Sequence, residues 1–338
     1  MNEVKDSNEI LTSSSRMNYL KLNNGVEMPQ VGLGTYMIPN QELEKTIATA
    51  IDLGYRKFDT ALRYNNEREI VNALKKQGVN RNDVFITTKI SIDAFFIGGY
   101  HWNKRINLWN FKTIKQVIQE SFDNLDTDYI DLFLIHSSIP IPFAQKMYKG
   151  LTKFYKEGKI RAIGVCSCLP PHFCAFEDVS DVIPAVHQFE ISPLNTQKSL
   201  IKWCQKRDVV VEAMSTFSHF RSNEPRPEIL ENPVLIRIAQ LHQKSVAQVV
   251  LRWLLQQGIS IIPKTWNEKY LAENIDLFDF ELSSDEMAMI DSLDRGRFLN
   301  YNPYIAFRKP YASWGRLPKK YRNWNGFENE PDKVFNKK

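Results

Sequence analysis

Cysteine is scarce in this 338-residue chain: four residues, Cys166, Cys168, Cys174 and Cys204, three of them bunched in one short stretch. That number and placement exclude a disulfide framework, and the N-terminal MNEVKDSNEI has none of the apolar core a secretory signal needs. Both observations point to a reducing, cytoplasmic setting. The run Cys166-x-Cys168-x3-His172-x-Cys174 lacks the ligand spacing of a zinc ribbon or finger, so no metal site is read from it. Long apolar runs are also missing; none approaches the roughly 20 residues that span a bilayer, which argues against a membrane protein. Glycine is sparse at 14 residues, and Gly32-Leu33-Gly34-Thr35-Tyr36 lacks the third glycine of G-x-G-x-x-G, the phosphate-binding fingerprint of an open dinucleotide-binding sheet.

Net positive charge is missing from the body of the chain. The net charge is +5, but from Arg295 to Lys338 eleven Lys or Arg stand against three acidic residues, so the remainder is slightly negative. A basic tail without a basic face on the folded body argues against a nucleic-acid partner.

What is present is a globular composition, 43% hydrophobic and 25% charged. Residues 1–16 are polar and unpatterned and read as a disordered leader. From Met17 the segment YLKLNNGVEMPQVGLGTY alternates apolar and polar residues about Asn24-Gly25, a hairpin signal because that dipeptide accepts the positive φ of a tight turn. Eight short strand patterns follow, at 30–34, 57–59, 84–88, 130–135, 160–165, 185–188, 209–213 and 259–262. Helical patterns lie at 41–53, 67–77, 111–124, 145–157, 196–206, 234–243, 245–256 and 269–277. Strands separated by helices demand right-handed crossovers and a parallel sheet, and eight such units close a barrel. The expected architecture is therefore an α/β chain folded over 17–294 as a (β/α)8 TIM barrel, with an N-terminal β-hairpin and an irregular C-terminal extension over 295–338. The aromatic segment 90–110 falls after the third strand, where a barrel places active-site loops.

Chemistry concentrates at three successive strand ends. Gly54 to Glu67, GYRKFDTALRYNNE, closes a strand with Asp59 and puts Tyr64 on the loop beyond; ITTK ends in Lys89, and DLFLIH ends in His136. Ionisable residues finishing apolar barrel strands converge on the C-terminal mouth, where burial is costly unless the groups are paired or used.

These segments resemble the aldo-keto reductase superfamily, whose F-D-T-A-x-x-Y-x-N-E motif is matched from Phe58 to Glu67 and whose D-Y-I-D-L-x-L-I-H run is matched from Asp128 to His136. The resemblance covers about residues 17–295. It implies an NAD(P)H-dependent oxidoreductase that reduces aldehydes or ketones, with Asp59, Tyr64, Lys89 and His136 as catalytic tetrad and a small-molecule carbonyl compound as partner. In that chemistry the tyrosine delivers a proton, and its pKa of roughly 10 is expected to fall beside the Lys89 ammonium. His136 is implied to bind the substrate carbonyl.

The resemblance also implies a cofactor site that includes Gly34, Thr35, Asp59 and Ser215. Gln188 and Glu190, in HQFEISP, match N-Q-x-E, which gives Gln188 the nicotinamide carboxamide. Cys166-Ser167 stands in place of the family's Ser-Asn, and Met214 in place of the aromatic that stacks on the nicotinamide. Ile262-Pro263-Lys264-Thr265 matches I-P-K-S, so Lys264 is implied to meet the ribose phosphate, and Glu273 and Asn274 the adenine. Tyr270 replaces the arginine that grips the 2′-phosphate, which leaves NADPH and NADH both open. Ser91 and Ser137 replace substrate-pocket tryptophans, so the pocket reads as wider or more polar, with Phe95, Phe96, Tyr100, Trp102 and Trp109 available as a new wall. The replacements also keep a second reading open, a cofactor-binding regulatory or scaffold protein on the same fold.

Overall fold

The structure, a computed structural model, describes residues 18–91, 112–137, 141–217 and 227–298. The leader, the aromatic segment and most of the C-terminal extension lie outside the described residues. A hairpin, β1 (Tyr19–Lys21) and β2 (Glu27–Pro29), comes first, with Gly25 at φ +85° in its turn. Eight parallel strands follow: β3 (Leu33–Gly34), β4 (Lys57–Asp59), β5 (Phe85–Ile90), β6 (Ile130–Ile135), β7 (Ile160–Cys166), β8 (Val186–Glu190), β9 (Val210–Met214) and β10 (Ser260–Ile261). They pair in chain order. The ends meet where Val31 bridges Ile261 in parallel, with the Gly32 amide donating to Ile261 O at 2.8 Å and the Ile261 amide to Gln30 O at 2.9 Å. The sheet is thus a barrel, as the alternation of strand and helix patterns predicts.

The helices that cover it are α1 (Asn40–Asp52), α2 (Glu67–Lys76), α3 (Ile114–Leu125), α4 (Ile141–Lys156), α5 (Pro170–Glu177), α6 (Lys198–Gln205), α7 (Pro227–Leu230), α8 (Pro233–His242), α9 (Val246–Gln256), α10 (Glu268–Ile275) and α11 (Ser284–Asp291). Side-chain caps fix several starts. Thr113 and Gln116 exchange capping-box bonds at α3, as do Ser245 and Gln248 at α9 and Ser283 and Glu286 at α11. Sequence periodicity predicts no helix between β7 and β8, yet α5 lies there. Its residues Pro170 to Phe176 are all buried, so no amphipathic stripe marks it, and the two prolines occupy the first turn, where their missing amides go unneeded. The periodicity equally misses α7 and α11, both short.

Two apolar layers hold the barrel. The larger lies between sheet and helices, with Trp253, Phe133 and Phe173 buried in it. The smaller plugs the N-terminal end of the barrel interior: Leu22 and Met28 of the hairpin pack with Phe85, Leu132, Leu134 and Val186. Asn23 and Asn24 tie the hairpin turn to Pro184 O and Arg161 O. With that end closed by apolar side chains, the interior opens at the C-terminal ends of the strands. Among the described residues no helix is long and apolar enough to cross a membrane.

Close packing of this plug makes a test of the barrel. A Cβ at Gly164, on β7, would meet Val186 O at 2.5 Å and collide with Leu134. Gly164→Ala is expected to destabilise the fold by about 1–3 kcal/mol through overpacking, read from the urea midpoint at unchanged slope.

Candidate active site

Asp59, the last residue of β4, is buried, and both of its oxygens are used. Oδ1 accepts from Lys89 Nζ at 2.5 Å and Oδ2 from Gln188 Nε2 at 2.8 Å. Lys89, one residue before the end of β5, also donates to Thr60 O at 2.9 Å. Burial disfavours its charge, but Asp59, with smaller help from Tyr64 and Cys166, carries its pKa above the ordinary lysine value.

Tyr64 closes a 3₁₀ turn (Leu62–Tyr64) whose exit, Asn65, sits at φ 53°. Lys89 Nζ lies 5.1 Å from the Tyr64 ring centroid, and His136, the residue after β6, stands edge-on to that ring at 5.7 Å. Tyr36 packs on Tyr64 at 4.7 Å. The loop is braced by residues to which the sequence motif alone gives no task. Thr60 Oγ1 donates to Asn66 Oδ1 at 2.5 Å, Asn66 Nδ2 donates to Thr35 O at 3.1 Å, and Glu67 accepts from Thr88 Oγ1 and Asn124 Nδ2. Three of the motif's positions, Thr60, Asn66 and Glu67, thus hold the loop that carries Tyr64.

One expectation is corrected. The lowering of the Tyr64 pKa expected from Lys89 is outweighed: burial pushes the phenol up, the lysine only partly offsets this, and the Asp59 charge adds to it, so Tyr64 stays protonated. His136 moves the opposite way. Burial, reinforced by Lys89 and Arg63, lowers it to about 3, so the imidazole is neutral at pH 7, and its buried Nδ1 has no hydrogen-bond partner among the described residues.

The remaining sequence-assigned positions ring the mouth. Gly34 sits so close to the β10 exit that a Cβ would lie 2.7 Å from Ile262 O, and its amide donates to Pro263 O. Thr35 is fully buried, its hydroxyl donating to Asp59 O at 2.8 Å, so it braces the end of β4. Cys166 is buried with its thiol donating to Gln188 Oε1 at 3.7 Å, and both ends of the Gln188 amide are therefore engaged inside the barrel. Glu190 is buried at the end of β8. Ser167 and Ser215, just past β7 and β9, both adopt left-handed backbone at φ 49° and 55°, an uncommon conformation for serine. Met214 is half-buried beside Ser215.

Beyond β10, Lys264 is half-buried with its ammonium 5.3 Å from the Trp266 ring centroid, and burial lowers its pKa. Thr265 Oγ1 accepts from the Asn267 amide, and Asn267 caps α10 through the Tyr270 amide. Tyr270 is 52% exposed on that helix, Asn274 is buried, and Glu273 pairs with Lys269 at 3.7 Å. Ser91 is buried and Ser137 half-buried on either side of the third and fourth barrel strand ends. The cysteine run is internal: Cys168 Sγ donates to Cys166 O, His172 Nδ1 accepts from the Leu169 amide, and no three potential metal ligands gather among the described residues.

A (β/α)8 barrel with a buried carboxylate–ammonium pair, a phenol and a neutral imidazole at its C-terminal mouth is the class of protein that fold and site define. The Aldo/keto reductase family model matches residues 30–295. The chain is 38% identical over 285 residues to a glyoxal reductase of Bacillus subtilis, covering 84% of this chain and 95% of that protein. It is 34% identical over 285 residues to a methylglyoxal reductase of Escherichia coli K12, covering 84% of this chain and 96% of that one. Among solved structures, an aldo-keto reductase of Bombyx mori in complex with NADP superposes with a TM-score of 0.73 at 28% identity, covering 90% of this chain and 98% of that chain. The chain belongs to the aldo/keto reductase family.

The neutral imidazole is directly measurable. A folded pKa depressed below the unfolded value of roughly 6.5 contributes stability that is present above that value and is lost as pH falls toward 3. The His136 ring resonances, assigned with a His136→Gln variant, are expected not to titrate between pH 5 and 9.

Proposed function

We propose that the protein reduces aldehydes or ketones to alcohols with a nicotinamide cofactor, with Tyr64 as proton donor. The observation that carries this reading is the buried Asp59–Lys89 pair lying under Tyr64 and His136. Such a pair is expensive to bury and supplies what a proton-donating phenol requires, a fixed positive charge next to the developing phenolate.

The residues at the mouth suit a nicotinamide dinucleotide. Lys264 is a half-buried cation whose charge an incoming phosphate would stabilise, Lys269 stands on the adjoining helix, and the left-handed Ser167 and Ser215 flank the strand ends between. When bound, that cofactor supplies the hydride. The chain's own part is positional and electrostatic. The protonated Tyr64 gives its proton to the carbonyl oxygen, which as an alkoxide is a far stronger base than phenolate, so the raised pKa of Tyr64 keeps the donor loaded without blocking transfer. Lys89 stabilises the phenolate left behind, and Asp59 keeps Lys89 charged and aimed. The neutral His136 holds the carbonyl oxygen by a hydrogen bond without adding a second positive charge. Serines at 91 and 137 suit small, polar carbonyl compounds, and the relatives named for glyoxal and methylglyoxal make 2-oxoaldehydes the first substrates to test.

The cofactor preference turns on Tyr270. No guanidinium is available there for a bidentate grip on a 2′-phosphate, and Lys269 is shared with Glu273, so weak discrimination between NADPH and NADH follows.

Two measurements test this reading. Tyr64→Phe is expected to lower carbonyl reduction by about 10²–10⁴-fold while cofactor affinity, followed by tryptophan fluorescence, stays within a few-fold; near wild-type turnover removes Tyr64 from the role. Tyr270→Arg is expected to tighten NADPH relative to NADH by on the order of 1–3 kcal/mol in dissociation constants from the same titration. A wild type that already prefers NADPH strongly, with no change in the variant, transfers the specificity to Lys264 and Lys269.

A further inference from the structure

Beneath the Asp59–Lys89 pair, the barrel interior holds a second pair of opposite charges. Lys57 on β4 and Glu212 on β9 are both fully buried, with Lys57 Nζ 3.5 Å from Glu212 Oε2. Lys57 also donates to Ser260 Oγ. Ser260 lies level with Glu212 across the β9–β10 ladder, and Gln188 lies level with it across β8–β9. The lysine stem fills space that a side chain at position 32 would need, since a Cβ on Gly32 would run into Lys57 Cε. Neither oxygen of Glu212 has a hydrogen-bond partner of ordinary geometry among the described residues, and burial works against both charges, lowering the Lys57 pKa and raising that of Glu212, with their mutual attraction offsetting this in part.

Lys57 and Asp59 are two residues apart on one strand, and their side chains therefore leave the same, inward face. We propose that Glu212 is a positioning residue for the reaction: it holds the Lys57 ammonium toward β9 and so leaves both oxygens of Asp59 to Lys89 and Gln188. The inference rests on the carbonyl-reducing reading of the mouth cluster. Burial disfavours the Lys57 charge, while Glu212 and, more weakly, Asp59 favour it, so without Glu212 the lysine turns to Asp59 and competes with Lys89. The titratable groups facing Lys89 are Asp59 from β4, Tyr64 from the turn after it, His136 after β6, Cys166 from β7 and Glu212 from β9. Asp59 is the largest of these influences that favour its charge. A Lys89 that shares Asp59 with Lys57 loses its proton at lower pH, and the alkaline limb of the rate moves down with it.

Steady-state reduction of methylglyoxal with NADPH, measured across pH, tests this with Glu212→Gln, Lys57→Met and the double variant. Glu212→Gln is expected to lower kcat by about tenfold with little change in KM, and to shift the alkaline limb down by about one pH unit. Adding Lys57→Met is expected to recover most of both losses, because the competing ammonium is gone. In the crystal structure of Glu212→Gln, Lys57 Nζ is expected within hydrogen-bond distance of Asp59. A purely structural pair would instead lower the melting temperature and leave kcat and the pH limb in place. Wild-type kcat and pH limb in Glu212→Gln, or a folded double variant that does not recover, overturns the proposal. If Glu212→Gln does not fold, Glu212→Asp replaces it, with the same shifts expected in smaller measure and wild-type behaviour again decisive against. A wild type that reduces no carbonyl compound defeats the functional reading alone; the position of Lys57 in the variant crystal then decides the proposal, and a Lys57 that stays away from Asp59 overturns it.

Discussion

Burying a carboxylate and an ammonium 2.5 Å apart inside a barrel is costly, and for the Asp59–Lys89 pair further bonds from three strand ends offset that cost. Gln188 from β8 covers the second oxygen of Asp59, Thr60 O takes a second proton of Lys89, and the Asp59 carbonyl is held by the Thr35 amide and hydroxyl. Burying two charges costs several kcal/mol per ion before their attraction is counted, so the closed sheet and its completed hydrogen bonds stand or fall together. Were the strands open between β3 and β10, water would enter and the pair would lose the low dielectric that makes it strong.

From that pair the rest of the mouth takes its electrostatic character. Lys89 stays charged because Asp59 offsets its burial, and its positive charge, with that of Arg63, then adds to burial in keeping His136 neutral. Tyr64 feels the same ammonium, yet burial wins and the phenol keeps its proton. A fixed cation, a protonated phenol and a neutral imidazole thus lie within a few ångströms of one another, the protonation states that the proposed proton delivery to a carbonyl oxygen asks for.

The barrel separates stability from chemistry along its axis. At the N-terminal end Leu22, Met28, Phe85 and Leu132 fill the interior, and the hairpin acts as a floor whose turn is pinned by Asn23 and Asn24. At the C-terminal end the interior turns polar, with left-handed backbone at Ser167 and Ser215 and a braced loop around Asn66. Between these ends lie Lys57 and Glu212, both fully buried and paired with each other.

The alternation of strand and helix patterns determined the barrel, and the strand-end positions of Asp59, Lys89 and His136 determined that these groups gather at its C-terminal mouth, because side-chain periodicity and strand polarity are local properties written in order along the chain. The motif from Phe58 to Glu67 likewise placed Tyr64 on the turn after β4, where the fold brings it beside Lys89 and His136. Only the tertiary structure decided what each group does there. Gln188 binds Asp59 across 129 residues of sequence, Glu212 faces Lys57, and helix α5, buried on every side, carries no periodic signal at all. The Tyr64 pKa was misjudged from sequence for the same reason: a neighbouring lysine can be read from a motif, but the desolvation that outweighs it is summed over every strand and helix that closes around the ring.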